Sequence, residues 1–142
     1  MYIYTRGRYA LRVLIDLAEH SNGEYIPMKD VARRQDISLK YLEGILPAFT
    51  KNGLVDSAHG KGGGYRLTRE PDQYSVWEVL QLTEGDLAPV SCLEKNAKPC
   101  SRASECRTLP MWEEYYRLTK EYFSKITIAD LMKTNTSYNY VI

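Results

Sequence analysis

The chain has 142 residues and a mass of 16.4 kDa, enough for one domain plus one added helix. With 44% hydrophobic and 26% charged residues it reads as a folded globular chain, and no apolar run approaches the roughly 18 residues of a membrane span. The net charge of +1 is uneven: residues 1–69 carry 11 Lys/Arg against 7 Asp/Glu and residues 70–142 carry 8 against 11, which tilts the first half mildly toward a polyanionic partner.

Thr5 is a candidate cap for a first helix to about His20, with Ala10, Leu11, Leu14, Leu17 and Ala18 forming one apolar face. Ser21-Asn22-Gly23 stops it. Pro27 opens a short second helix through about Gln35, with Val31 and Ala32 inward, and Asp36-Ile37 makes a tight turn. Ser38 caps a third helix whose apolar positions are Leu39, Leu42, Ile45, Leu46 and Phe49, ended by Asn52-Gly53. Pro47 inside it removes the bond to the Glu43 carbonyl and predicts a kink. The period then changes. Leu54 to Ala58 and Tyr65 to Thr68 read as strands around a tip, His59-Gly60-Lys61-Gly62-Gly63-Gly64. After a turn at Glu70-Pro71-Asp72, Ser75 caps a fourth helix with Val76, Val79, Leu80 and Leu82, ending near Gly85. Residues 86–107 have no period and hold all three cysteines, as a loop. A long helix runs from about Pro110 to Lys125, followed by a short capped one at Thr127-Ile128-Ala129-Asp130 and a Tyr- and Asn-containing tail.

The long helix carries two apolar stripes. One is Leu109, Trp112, Tyr116, Thr119, Phe123 and Ile126; the other is Met111, Tyr115, Leu118 and Tyr122. A helix apolar on two sides calls for two partners, its own domain and a second copy of the chain; the plainer alternative is one wide core face. The fold class is therefore mainly α with a small β-hairpin wing: a winged helix-turn-helix over residues 1–85, a cysteine loop over 86–107, and a dimerisation helix with its tail over 108–142.

Within that module the third helix is the natural reader of the major groove, through Ser38, Lys40, Tyr41, Glu43 and Gly44. Ser38 caps the helix, whose N-terminus favours a phosphate oxygen. Lys40 suits a phosphate or a guanine edge, and the Tyr41 hydroxyl suits a phosphate. Glu43 is repelled by phosphate but accepts from a cytosine amino group, so it selects among sites; an ordinary solvated carboxylate is an equal reading. At the wing tip, His59 and Lys61 supply polar contacts, and Gly62 and Gly63 let backbone N–H groups approach a phosphate in the minor groove. One or two glycines suffice for a plain hairpin, so four with a lysine point to close contact with DNA. Arg6, Arg8, Arg33 and Arg34 are further phosphate candidates, although each taken singly reads more readily as a solvated surface charge. Gly60-Lys61-Gly62 lacks the Ser or Thr of a P-loop, and a loop between two strands is not a dinucleotide fingerprint.

Cys92, Cys100 and Cys106 are spaced C-x7-C-x5-C, and no signal peptide is read in the sequence, so a cytoplasmic location is expected and a disulfide framework is not. Three soft ligands within 15 residues suit an iron–sulfur cluster, zinc or copper(I). No further Cys or His lies nearby in sequence, so the fourth ligand is a carboxylate, a partner-chain group, solvent or a small thiol. Such an incompletely sealed site suits a sensor. With only His20 and His59 as histidines, and no nucleophile–base pair, an enzyme is not expected.

Four segments carry a resemblance: Thr5-Arg6-Gly7-Arg8-Tyr9-Ala10, Ile37-Ser38-Leu39-Lys40-Tyr41-Leu42-Glu43, Lys51-Asn52-Gly53-Leu54-Val55 and Gly60-Lys61-Gly62-Gly63-Gly64-Tyr65. Together they resemble the Rrf2 family of bacterial transcription regulators, and the resemblance extends through Ile126-Thr127-Ile128-Ala129-Asp130-Leu131. It implies a homodimer with winged helices on a palindromic double-stranded DNA operator and long helices paired across the two-fold. In cluster-binding members of the IscR and NsrR types, three cysteines of this loop hold a [2Fe–2S] or [4Fe–4S] cluster, and Cys92, Cys100 and Cys106 match that pattern. Leu109 stands where IscR-like members place a ligand His, and Arg8 lies in the region from which some NsrR-like members draw a carboxylate. The expectation is a cytoplasmic transcription repressor controlled by its cluster. The alternatives are the same fold regulated by thiol redox, zinc or a protein partner, and an iron–sulfur carrier that does not bind DNA.

Overall fold

The computed structural model describes residues 2–132. Six α-helices and one antiparallel hairpin are formed among them: α1 (Thr5–Glu19), α2 (Met28–Gln35), α3 (Leu39–Lys51), β1 (Val55–Ala58), β2 (Gly64–Leu67), α4 (Val76–Glu84), α5 (Leu109–Lys125) and α6 (Ile128–Leu131). This is the expected order of a winged helix-turn-helix followed by a long helix. No helix among the described residues is long and apolar enough to cross a membrane.

The local signals work where the capping side chain is close in sequence. Ser38 accepts from the Tyr41 N–H at 3.1 Å and Ser75 from the Glu78 N–H at 3.1 Å. Thr127 and Asp130 form a reciprocal capping box on α6. Thr5 behaves differently from expectation. It lies inside the first turn, where its hydroxyl accepts from Arg8, and Tyr4 occupies the cap position without a side-chain bond. The cap arrives from α4: a Glu84 carboxylate oxygen accepts from the N–H of Tyr4 at 3.2 Å and of Gly7 at 3.0 Å. α3 runs unbroken through Pro47, which is exposed, so the carbonyl it leaves unbonded belongs to the solvent side at Glu43. Leu39 is also exposed rather than part of the apolar face; as the first helical residue it overhangs the core that Leu42, Ile45, Leu46 and Phe49 fill.

The main core joins Val13, Leu14 and Leu17 of α1 with Val31, Leu42, Leu46, Phe49, Leu54, Tyr74 and Ile128. Ile128 thus returns the chain to the core of the winged helix-turn-helix. A second cluster of Val76, Trp77, Leu80 and Leu87 takes Tyr116 and Phe123 of α5, and Ile126 just past its end, against it. Backbone bonds from Val76 N–H to the Ile126 carbonyl (2.8 Å) and from Ile128 N–H to the Tyr74 carbonyl (3.0 Å) pin the end of α5 beside the start of α4. The wing pairs Val55 with Leu67 and Ala58 with Gly64, and Ile26 adds a bridge to Tyr65 on its other edge.

Candidate nucleic-acid interface and cysteine loop

α3 presents Lys40, Glu43, Gly44, Pro47 and Lys51 to solvent at three- and four-residue spacing, one continuous exposed face opposite the core. Ser38 is exposed at its N-terminus with its side-chain oxygen engaged in the cap. Tyr41 is turned partly inward: its ring meets Tyr9 of α1 edge-on at 5.4 Å, so it braces α3 on α1 as well as standing near the reading face.

A buried polar network fixes the approach to that helix. Asp16 of α1 is fully buried. It accepts from Arg34 Nη2 at 2.7 Å, from Arg34 Nε at 3.1 Å and from Gln35 Nε2 at 2.9 Å. Arg12 donates to both the side chain and the carbonyl of Gln35 and stacks over Tyr9. The carboxylate holds the Arg34 guanidinium above its ordinary range, mainly by the hydrogen bond. Arg34, a phosphate candidate by sequence, is therefore tied to Asp16 from an exposed position; it stands two residues before the turn into α3, where Asp36 is left-handed (φ 53°) and Ile37 is buried. Arg6, Arg8 and Arg33 are exposed, with Arg8 bonded to Thr5 and Arg33 near Asp30 at 3.8 Å. The signal for Asp16 was present in the sequence as a carboxylate between the apolar positions of the first helix.

At the wing, His59, Lys61 and Gly62 are exposed and Gly63 is half-buried. The four glycines are explained by the hairpin itself. Gly60 and Gly62 have φ of 83° and 80°. A Cβ on Gly63 would meet the Ala58 and Gly60 carbonyl oxygens, and one on Gly64 would overlap the Ile26 carbonyl group. The glycine count therefore does not by itself indicate contact with DNA. Tyr74, fully buried, anchors the wing's base by donating to the Leu54 carbonyl (2.6 Å) and accepting from the Thr68 and Arg69 N–H groups.

The segment between α4 and α5 carries three free thiols: Cys92 and Cys100 exposed, Cys106 half-buried. Among the described residues no three His, Cys, Asp or Glu side chains come together in metal-binding geometry, so the three thiols do not converge on one centre in this conformation. Cys106 lies at the foot of α5. Hydrogen bonds from the Thr108 hydroxyl and from the backbone N–H groups of Thr108 and Leu109 hold its thiol below the ordinary range. The start of this segment is tied down: Asp86 accepts from the N–H of Ala88 at 2.9 Å and of Lys95 at 2.7 Å, and Leu87 is buried.

Both stripes of α5 are found where their spacing placed them. Tyr116 and Phe123 pack on the second cluster, with Tyr116 6.0 Å from the Trp77 ring. Burial, and then the charge of Asp86, raise the Tyr116 phenol above its usual range. Met111, Tyr115, Leu118 and Tyr122 are 53, 46, 51 and 56% exposed, large apolar side chains with no cover in the single chain. Ile3 borders the same face.

Known proteins share this arrangement. Residues 3–134 match the family model described as Rrf2, iron-dependent transcriptional regulator. The chain is similar to the protein rrf2 of Nitratidesulfovibrio vulgaris, with 37% identity over 94% of this chain and 88% of that protein. It is 33% identical to the HTH-type transcriptional regulator IscR of Vibrio campbellii, over 95% of this chain and 79% of that one. Among solved structures, CymR, the global cysteine regulator of B. subtilis, superposes with a TM-score of 0.76 at 27% identity, covering 98% of this chain and 99% of that one. The IscR of T. potens superposes with a TM-score of 0.70 at 28% identity, over 99% and 95%. A winged helix-turn-helix with an outward α3, a match along nearly the whole chain and relatives that are regulators together make it a member of the Rrf2 family of transcriptional regulators, not an enzyme.

Proposed function

We propose that this chain is a homodimeric, DNA-binding transcription regulator whose operator affinity is set by an iron–sulfur cluster on Cys92, Cys100 and Cys106. The observation that carries the reading is the placement of all three free thiols on one largely solvent-facing segment, between α4, the last helix of the winged module, and α5, the helix with the bare aromatic face. Three thiols without a disulfide are a donor set that suits a cluster, and the family's iron dependence supports it. When bound, the cluster supplies iron–thiolate bonds that tie three points of the segment to one centre.

The rest falls to the chain's own residues. The exposed face of α3 enters the major groove, with Lys40 on a phosphate or guanine and Glu43 discriminating at a cytosine. Ser38 and the α3 N-terminus face a phosphate, flanked by Tyr41. His59, Lys61 and the backbone of Gly62 and Gly63 lie along the minor groove. Met111, Tyr115, Leu118 and Tyr122 pair with the same face of a second copy, which sets two recognition helices on two half-sites.

A second reading, regulation by thiol oxidation, is favoured by Cys106, whose lowered pKa makes its thiolate the more available nucleophile. One experiment separates the two. The protein is purified without oxygen, its visible spectrum is recorded, and iron and sulfide are counted in the same sample. Charge-transfer absorbance with matching iron and sulfide, lost in Cys100→Ala while the dimer persists, supports the cluster. A colourless protein that takes up no iron on reconstitution overturns it and leaves the thiol reading.

A further inference from the structure

The cysteine segment and the DNA-binding helices meet at one side chain. Glu84 is the last residue of α4, two residues before Asp86, whose carboxylate holds the first turns of the segment through the N–H groups of Ala88 and Lys95. Its carboxylate crosses to the start of α1 and accepts from the Tyr4 and Gly7 N–H groups, donors that no local side chain satisfies. The fit is close. Gly7 is buried, and a Cβ there would meet the Glu84 carboxylate and sit 3.1 Å from Leu80 Cδ2. α1 then carries Tyr9, Arg12 and Asp16, which brace Tyr41 of α3 and hold Gln35 and Arg34 just before the turn into α3. On its other side, Ile3 borders the bare face of α5.

We propose that Glu84 is a positioning residue that transmits the state of the cysteine segment to the recognition helix, by holding the N-terminus of α1 to the residue from which that segment departs. This rests on the reading that the segment's state controls DNA affinity. A shift of the segment reaches Gly85 and Glu84 first, because Asp86 and Leu87 fasten its near end. A shift of Glu84 moves α1 as a unit, because its carboxylate caps the first turn and a helix transmits displacement along its length. Glu84 does not touch DNA or the thiols in this chain of contacts; it sets where α1 lies.

The test uses the full chain as wild type, Glu84→Ala and Glu84→Gln. Each is reconstituted with iron and sulfide without oxygen, or stripped with a chelator, and titrated against one duplex recovered by in vitro selection from random DNA. Wild type is expected to show a ratio of loaded to stripped affinity in the usual range of allosteric coupling, about 5- to 150-fold. In Glu84→Ala that ratio falls to within about twofold of one with iron content unchanged, the coupling constant having lost the contact that carries it. Glu84→Gln restores it, since its amide carbonyl still accepts from the two N–H groups. A wild-type ratio retained in Glu84→Ala overturns the proposal alone; a ratio near one in wild type overturns the segment's control of affinity as well. If Glu84→Ala does not fold, hydrogen exchange at the Tyr4 and Gly7 amides of wild type decides. Rates that differ between loaded and stripped protein support the link, and equal rates overturn it.

Discussion

Replacing Asp16 with Ala is the sharpest perturbation of the DNA-binding module that leaves its surface untouched. The carboxylate is fully buried and accepts from Arg34 twice and from Gln35 once. Removing one partner of a buried pair costs roughly 3–5 kcal/mol, because the remaining charge loses its compensation. The Arg34 side chain is 27% exposed, so its guanidinium regains some water, and the expected loss is about 2–3 kcal/mol. For a chain of this size each kcal/mol corresponds to roughly 3–5 °C, so the melting temperature should fall by about 6–15 °C. The assay is urea or thermal unfolding at one fixed protein concentration, for Asp16→Ala, Arg34→Ala and the double variant. The cycle should return a coupling of at least about 1 kcal/mol, since the two side chains share two hydrogen bonds. An Asp16→Ala protein within about 0.5 kcal/mol of wild type, the scale of an ordinary surface substitution, would refute the network as the tie between α1 and the turn.

Lys40→Ala and Lys61→Ala should each weaken DNA binding and lower the slope of log affinity against log salt by about 1, measured by fluorescence anisotropy from 50 to 200 mM salt; unchanged slopes would place the duplex elsewhere. Leu118→Glu, on the bare face of α5, should give a monomer by sedimentation velocity with helical content kept, and a persisting dimer would remove that face as the interface. The Cys106 thiol has a lower pKa folded than unfolded, so its alkylation should reach half-maximal rate at a lower pH in the native chain than in urea. Its contribution to stability is present above the unfolded pKa and is lost as pH falls through the folded one. Coincident profiles in the two states would show that Thr108 and the foot of α5 do not hold the thiolate.

What was legible in the sequence was local. Ser38, Ser75 and Thr127 cap helices three residues away, and their hydroxyls announced three helix starts. The two stripes of α5 were readable because a 3.6-residue period is a property of the helix alone, and they reappear as one packed face and one bare face. What was lost involves groups distant in sequence. The cap of α1 comes from Glu84, 77 residues beyond Gly7, while Thr5 offered a plausible but unused hydroxyl. Arg34 looked like a surface charge because its partner, Asp16, lies on another helix. The glycines of the wing looked like a phosphate cradle because the carbonyl of Ile26 that excludes a side chain at Gly64 is visible only once Ile26 bridges to Tyr65 on the outer edge of β2. The cysteines were legible as a group by spacing, whereas their failure to converge on one centre in this conformation was not.

In the proposed mechanism Cys92, Cys100 and Cys106 govern DNA affinity from outside the DNA-contacting surface. The most direct measurement is the affinity for one selected duplex, at one salt concentration without oxygen, of the iron- and sulfide-reconstituted wild type and of the variant with all three cysteines replaced by alanine. Both should bind with the same salt slope, because Lys40 and Lys61 are unchanged, and their affinities should differ by more than about fivefold. Equal affinities of the two proteins would contradict it.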